Sequence, residues 1–255
     1  MDLLLNYSDK IVFLTGAGCS TGVGIPDYRG LGKPSGEASA ITMDLTVYKP
    51  GIVHDKIAAM VNSGKVEYLL TQNIDNLHRD VKPEKLYELH GNHSKGMCAE
   101  CGTRMDWTTD RKCPCGKDLT QSIVDFDTPV NLSDLEAAEK IIDAADLLII
   151  LGTSLKVAPV NGLVSQILRR GGNVIVVNRD PTEIDDSARM VYRCDVKDFL
   201  EDMERVFKGE SPRVEPFKMR EIPGWDNTIE HWGCRFCTLL NKFYPTCCEG
   251  CGNDR

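Results

Sequence analysis

The sequence predicts a doubly wound α/β fold, in which helices cover both faces of a mostly parallel sheet. Three continuous apolar runs, at residues 10–14, 146–151 and 173–177, are typical of strands buried on both faces. The segment 158–170 predicts a helix, with Pro159 at its start and two glycines beyond its end. Strand, helix and strand in this order indicate a βαβ unit.

The other elements before residue 208 are consistent with this fold. Residues 1–6 lack the basic and apolar regions of a signal peptide, so we expect them to pack as the first turn of the domain. Residues 66–70 and 86–89 predict two shorter strands. Residues 195–207 place apolar side chains on one helical face and predict the helix that completes the domain.

Composition excludes several classes of protein. The 255 residues are 42% hydrophobic and 27% charged, as expected of a soluble globular chain. A net charge of −8 argues against non-specific nucleic-acid binding by the whole chain, because neutralising phosphates requires a basic surface. No apolar run is long enough to cross a bilayer. We therefore expect a cytoplasmic or nuclear protein without a membrane partner.

The cysteines indicate metal binding. The chain has 11, an odd number arranged in close pairs, which favours zinc in a reducing compartment over a disulfide framework. Two predicted zinc sites consist of Cys98, Cys101, Cys113 and Cys115 in one quartet, and Cys234, Cys237, Cys248 and Cys251 in the other. The first quartet lies in a polar insertion at about 96–118 and has a short final knuckle, so a strained or three-cysteine site is the alternative. We expect Cys19 and Cys194 to be packing residues.

A glycine-rich turn directly follows the first predicted strand. Its bare N–H groups could approach a pyrophosphate, and the Ser20 hydroxyl could add a further donor. Asp27 and Arg29 follow closely, and Arg29 could contact a phosphate or a reacting ribose. The candidate residues of this motif are Gly16, Ala17, Gly18, Ser20, Asp27 and Arg29. The alternative is a tight turn followed by a solvated loop.

Polar side chains follow the other predicted strands. Those after the second strand are suited to binding a carboxamide and ribose hydroxyls. Those after two later strands are suited to binding the other nucleotide of a dinucleotide, with its ribose and adenine. The first group is Gln72, Asn73, Ile74 and Asp75; the second is Gly152, Thr153, Ser154 and Asn178. Ordinary turns and βα loops are the alternatives.

His90 ends another predicted strand and is a candidate general base near pH 7. A single histidine is more often a structural residue, and His78 and His93 are equally plausible without further context.

Together these motifs resemble the sirtuins, the NAD-dependent protein deacylases. The resemblance covers about residues 8–207. The matching motifs are GAGCS (16–20), GIPDYRG (24–30), TQNID (71–75), LHGN (89–92), the first cysteine quartet, GTSLKVAP (152–159) and VNRDPTEID (177–185). Asn92 and residues 123–127 are more similar to the chromatin-associated subgroup than to the usual bacterial type. The resemblance implies a Rossmann-like NAD-binding domain at 1–208 that releases nicotinamide and O-acyl-ADP-ribose while removing acyl groups from protein lysine.

The resemblance also implies roles for individual residues. His90 would be the base that takes a proton from the ribose hydroxyls, and Asn73 would complete the catalytic pair. The NAD contacts would be the glycine-turn and strand-end residues named above, together with Val196. Val124, Asp125 and Phe126 would bind the acyl-lysine peptide as an added strand. A short loop after Arg29 and the acidic peptide segment motivate an alternative, mono-ADP-ribosyl transfer or NAD hydrolysis on the same fold.

The C-terminal region forms a second predicted unit. Residues 209–227, rich in proline and glycine, predict an extended and partly docked linker. Residues 228–255 resemble an NZF-type zinc finger of the Ran-binding-protein class. We expect its Thr238 and Leu239 to contact ubiquitin, with single-stranded RNA as the less favoured partner because Lys242 is the one basic residue between Asn241 and Cys248. A non-catalytic ubiquitin- or RNA-binding adaptor is the remaining alternative.

Overall fold

The computed structural model describes residues 1–26, 44–107, 110–123, 132–156, 160–219, 231–233 and 240–242. Some predicted functional residues lie outside these ranges. They are Asp27, Arg29, Val124, Asp125, Phe126, Thr238, Leu239, Cys234, Cys237, Cys248 and Cys251.

The described residues form helices and strands in the following order along the chain. They are α1 (Asp2–Tyr7), β1 (Ile11–Thr15), α2 (Ile52–Asn62), β2 (Tyr68–Thr71), β3 (Leu86–Glu88), β4 (Lys95–Cys98), β5 (Arg104–Asp106), β6 (Leu119–Gln121), α3 (Leu132–Ala144), β7 (Leu147–Leu151), α4 (Val160–Arg169), β8 (Asn173–Val177), β9 (Met190–Tyr192), α5 (Val196–Phe207), β10 (Lys218–Met219), β11 (His231–Gly233) and β12 (Leu240–Lys242). No helix in the described part of the chain is both long and apolar enough to span a membrane.

The main sheet confirms the predicted α/β fold. Its strand order is β10-β9-β8-β7-β1-β2-β3, and all neighbours are parallel except the edge strand β10. Leu14 of β1 is paired with Ile150 of β7 on one side and with Leu70 of β2 on the other. The chain therefore continues in opposite directions from β1 and β7, and the crevice between their carboxyl ends is the expected place for a ligand.

Helices cover the sheet on both faces because alternate strand residues point to opposite sides. Phe13 packs on the face shared by α1, α2 and α5, whereas Leu14 packs on the face shared by α3 and α4. The first turn is confirmed as α1, whose Leu4 and Leu5 are buried. The strand predicted at 66–70 begins later, because the amide of Val66 donates to a carbonyl of α2 and leaves the sheet to residues 68–71.

The insertion after β3 is a separate three-stranded antiparallel sheet with the order β5-β4-β6. It has its own small core, formed by Cys98, Cys113 and Leu119 with Met105 and Trp107 packed against them. The cysteine-bearing segment therefore stands outside the main sheet, as the sequence predicted.

The start of the predicted linker is docked onto the last helix of the main fold. The buried carboxylate of Asp202 accepts hydrogen bonds from the amides of Arg213, at 2.7 Å, and Val214, at 2.6 Å. The chain then adds β10 to the sheet edge, where the amide of Phe217 donates to the carbonyl of Val191. One side-chain oxygen thus fixes the path of the chain away from α5.

We expect Asp202→Ala to lower the free energy of unfolding by about 2–4 kcal/mol, because two main-chain amides lose a charged acceptor. Asp202→Asn keeps an oxygen for both amides and should cost less than about half as much. Denaturant unfolding of both variants tests this. Equal losses for the two variants, or no loss for the alanine variant, would contradict it.

Candidate functional site

The turn after β1 packs directly against the turn after β7. The amide of Gly16 donates to the carbonyl of Leu151 at 3.0 Å, and that of Gly18 donates to Gly152 at 2.8 Å. A Cβ on Gly16 would lie 2.5 Å from Cβ of Thr153, and one on Gly18 would lie 2.8 Å from Cα of Gly152. These glycines are predicted to let the main chain approach a phosphate. The structure adds a second reason, which is the close contact between the two turns.

Beneath the glycine turn lies a buried polar network. The hydroxyl of Ser20, which is fully buried, donates to Oδ2 of Asp75 at 2.6 Å. Nδ2 of Asn73 donates to Oγ of Ser20 and to the carbonyl of Gly16, both at 3.2 Å. The single proton of the Ser20 hydroxyl is engaged by Asp75 in this arrangement, and its contact with a phosphate stays a prediction.

His54, which no sequence motif indicated, is also part of this network. Its Nδ1 accepts a hydrogen bond from the amide of Gly51 at 3.1 Å, so the neutral ring carries its proton on Nε2. That proton is donated to Oγ of Ser20 at 3.2 Å. Burial lowers the pKa of His54, which keeps the ring neutral. A histidine among the apolar residues of α2 was the only sequence signal for this contact.

Two other histidines, His78 and His93, have contacts typical of structural residues. His78 is buried with Nε2 3.2 Å from Oγ1 of Thr15, and burial lowers its pKa to about 3. Both ring nitrogens of His93 are engaged, with Nδ1 2.9 Å from the carbonyl of Ile74 and Nε2 3.0 Å from Oγ of Ser94. His93 therefore has no free ring nitrogen. Nδ1 of His78 has no hydrogen-bond partner among the described residues, but the residue is only 3% exposed, which favours a structural role.

His90 differs from these histidines. Its Nδ1 lies 3.1 Å from the main-chain carbonyl of Gln72, and because a carbonyl only accepts, Nδ1 carries the proton of the neutral ring. Nε2 is buried and has no hydrogen-bond partner among the described residues. Burial lowers the pKa of His90, and the hydrogen bond to the Gln72 carbonyl opposes this effect only in part. The unperturbed pKa expected from the sequence is therefore too high. The ring is therefore a neutral base near pH 7.

The remaining predicted contacts lie at neighbouring strand ends. Nε2 of Gln72 donates to Oγ1 of Thr153 at 2.9 Å, which joins the turns after β2 and β7. Asn178 follows β8, where its amide donates to the carbonyl of Tyr192. Val196 begins α5 and is buried. Ala17, Ile74 and Ser154 are half-buried at the same edge of the sheet. The structure thus collects all the described dinucleotide candidates at the carboxyl ends of the strands.

The first cysteine quartet comes together in the insertion. All four Sγ atoms lie within 4.8 Å of one another, with Cys98 and Cys115 3.6 Å apart and Cys101 and Cys113 3.5 Å apart. Tetrahedral zinc with Zn–S bonds of about 2.3 Å requires sulfur atoms roughly 3.8 Å apart. The four-thiol geometry therefore fits a zinc ion, and the short knuckle still brings Cys115 to the cluster.

The chain is similar to proteins of one family. The Sir2 family profile matches residues 37–159. An NAD-dependent protein deacetylase of Caldivirga maquilingensis is 30% identical over 242 residues, which cover 81% of this chain and 92% of that protein. One from Staphylococcus epidermidis is 33% identical, covering 78% and 94%. NAD-dependent protein deacetylase SRT1 of Arabidopsis thaliana is 32% identical, but this chain spans only 44% of its length.

Solved structures agree with these relatives. A complex of Sir2, p53 peptide and NAD+ has a TM-score of 0.66 and 31% identity, covering 81% of this chain and 95% of that one. A Sir2 variant with deacetylated p53 peptide and 3'-O-acetyl ADP ribose has a TM-score of 0.65 and 30% identity, covering 78% and 93%. Because relatives at 30–33% identity are matched over more than nine-tenths of their length, the chain belongs to the Sir2 family.

Proposed function

We propose that this protein is an NAD-dependent protein-lysine deacetylase that releases nicotinamide and O-acetyl-ADP-ribose. The observation that carries the proposal is the free Nε2 of His90, a half-buried neutral base at the edge of the sheet where the strand-end motifs meet. The relatives of known activity support it, because those named above are NAD-dependent protein deacetylases. Acyl groups other than acetyl belong to the same proposal.

The residues at the sheet edge fit an NAD molecule. When bound, NAD supplies an electrophilic ribose carbon and a nicotinamide leaving group. We propose that Asp75 and Asn73, held by Ser20, orient the carboxamide and the ribose, and that Gln72 and Thr153 line the same crevice. His90 then accepts a proton at Nε2. The proposed contacts also include Gly16, Ala17, Gly18, Asp27, Arg29, Ile74, Gly152, Ser154, Asn178 and Val196, with Val124, Asp125 and Phe126 for the peptide.

Mass spectrometry of the purified protein with NAD and an acetyl-lysine peptide tests the function. Equal amounts of nicotinamide, deacetylated peptide and O-acetyl-ADP-ribose are expected. ADP-ribosylated protein would instead support the mono-ADP-ribosyltransferase alternative, which the acidic residues Asp125 and Asp127 motivate. Nicotinamide released without peptide turnover would indicate NAD hydrolysis.

The finer assignments are further parts of the proposal. The catalytic unit comprises residues 1–208, a linker follows at 209–227, and an NZF-type finger occupies 228–255. The motif at His90–Asn92 supports the chromatin-associated subgroup, and the paired cysteines support a nuclear or cytoplasmic location.

His90→Ala should lower turnover of the acetyl-lysine peptide about 10²–10⁴-fold, because the proton acceptor is lost. The dissociation constant for NAD should change by less than about threefold, since His90 makes no described contact with the glycine turn. Steady-state kinetics and calorimetry measure the two effects. His231→Ala, in the C-terminal hairpin, is the matched control and should match the unsubstituted protein. Turnover of His90→Ala close to that of the control would remove His90 as the base.

Elemental analysis of the full chain should give two zinc ions, one for each cysteine quartet. Cys113→Ser and Cys248→Ser should each lose one ion, because a four-thiolate site binds zinc poorly after losing a ligand. Cys194→Ser, which changes a half-buried cysteine outside both quartets, should keep both ions. A single zinc in the full chain would remove one of the two proposed sites.

The finger should bind ubiquitin weakly, with a dissociation constant of about 10–1000 μM, because the sequence offers only Thr238 and Leu239 as contacts. Labelled ubiquitin titrated with the full chain should show NMR shifts that disappear with the Thr238→Ala/Leu239→Ala variant. Saturable binding of single-stranded RNA without a response from ubiquitin would contradict this and favour an RNA-binding finger.

A further inference from the structure

Asn92 is the most heavily engaged polar side chain near the candidate base. Only 1% of its surface is exposed. Its Nδ2 donates to Oδ1 of Asn76 at 2.9 Å and to Oε1 of Glu88. Its Oδ1 accepts from the amide of Ser94 at 2.8 Å. Both amide protons and the oxygen are therefore used inside the protein.

The main chain of Asn92 makes a second, reciprocal contact. Its amide donates to Oγ of Ser122 at 3.2 Å, and that hydroxyl donates back to the carbonyl of Asn92 at 2.9 Å. The preceding Gly91 lies so close to this segment that a Cβ there would be 1.9 Å from the carbonyl oxygen of Ser122. Residues 91–92 and 122 are thus in direct contact along their backbones.

These contacts join three segments that the proposed reaction uses. Asn76, which has a left-handed φ of 58°, directly follows Asp75 in the loop that carries Asn73 and Asp75. Ser122 lies two residues before the proposed peptide-binding segment. His90 is itself two residues before Asn92. One buried amide therefore connects the proposed cofactor loop, the base and the approach to the peptide segment.

We propose that Asn92 is a positioning residue for His90. This inference rests on the proposed function. The imidazole has a single described hydrogen bond, to the carbonyl of Gln72, so the place of Nε2 also depends on where the main chain of residues 90–92 is held. A displacement of about 1 Å at a reacting group can cost roughly 10²-fold in rate. That main chain is held by the hydrogen bonds of Asn92 with Asn76, Glu88, Ser94 and Ser122, which we call the Asn92 clamp.

The buried side chain of Asn92 could also stabilise the fold without affecting His90. Exchanging the chemical groups of Asn92 and Glu88 separates a positioning role from a purely stabilising one. Asn92→Asp keeps the shape of the side chain but replaces the donor with a carboxylate facing that of Glu88, and two close carboxylates repel. Glu88→Gln added to it restores a donor and an acceptor in reversed order. The double variant has the net charge of the unsubstituted pair, and the Glu88 contact with Nζ of Lys95, at 3.0 Å, can be kept by the glutamine oxygen.

Peptide deacetylation kinetics of the full chain are the test. We expect Asn92→Asp to lower kcat about 10–100-fold, with the dissociation constant for NAD changed less than about threefold. Asn92→Asp/Glu88→Gln should recover kcat to within about fivefold of the unsubstituted protein. Asn62→Asp is the matched control, because the side-chain nitrogen and oxygen of Asn62 are also both used, with the carbonyl of Asp80 and the amide of Lys82. These partners precede β3, whereas His90 follows it. The control should leave kcat unchanged.

Several outcomes would overturn the inference. An unchanged kcat in Asn92→Asp would do so, as would a double variant that melts at the unsubstituted temperature but stays as slow as the single variant. If Asn92→Asp does not fold, the double variant alone decides.

If the unsubstituted protein releases no nicotinamide, the proposed function fails, and hydrogen exchange then tests the clamp. Amides at 73–78 and 90–94 should exchange faster in Asn92→Asp and recover in the double variant; unchanged exchange would refute the clamp.

Discussion

The approach of the β1 turn to the β7 turn is the constraint on which this structure depends. The two strands are parallel neighbours at the point where the chain reverses its direction along the sheet, so their carboxyl ends open a crevice. The turns touch through the backbones of Gly18 and Gly152, and a side chain at either position would force them apart. Such a separation would also break the bond between Gln72 and Thr153, which links the second strand end to the same crevice.

Burial and hydrogen bonds determine the protonation states and orientations of the polar side chains in this crevice. His54, Ser20 and Asp75 form a directed chain of donors that ends on a carboxylate, so that carboxylate is oriented before any ligand arrives. His90 is held by a backbone carbonyl at one nitrogen while the other is left free. Burial lowers its pKa, which keeps the free nitrogen unprotonated at neutral pH. His78 also has a buried ring nitrogen, Nδ1, without a partner among the described residues, so location separates the two roles. His78 is only 3% exposed, whereas His90 is half-buried directly after a strand end.

Much of the fold and part of the site could be predicted from sequence, because apolar runs and strand-end motifs are local signals. β8 has the predicted bounds, and the predicted strand-end residues do meet at one edge. The apolar spacing of α2 and α3 was present in the sequence, although the prediction did not use it. The Ser20–Asp75 bond joins residues 55 apart, and the His54–Ser20 contact joins residues 34 apart. Such contacts arise from packing between elements. The Ser20–Asp75 hydrogen bond and the Asn92 clamp therefore could not be inferred from motifs.

The tautomer of His90 tests the account most directly. Long-range ¹H–¹⁵N NMR of the full chain, assigned with the His90→Ala variant, reports which ring nitrogen carries the proton and at what pH the ring titrates. We expect a neutral ring at pH 7 with the proton on Nδ1, titrating below the usual value of about 6.5 because of burial. A proton on Nε2, or a charged ring at pH 7, would contradict it.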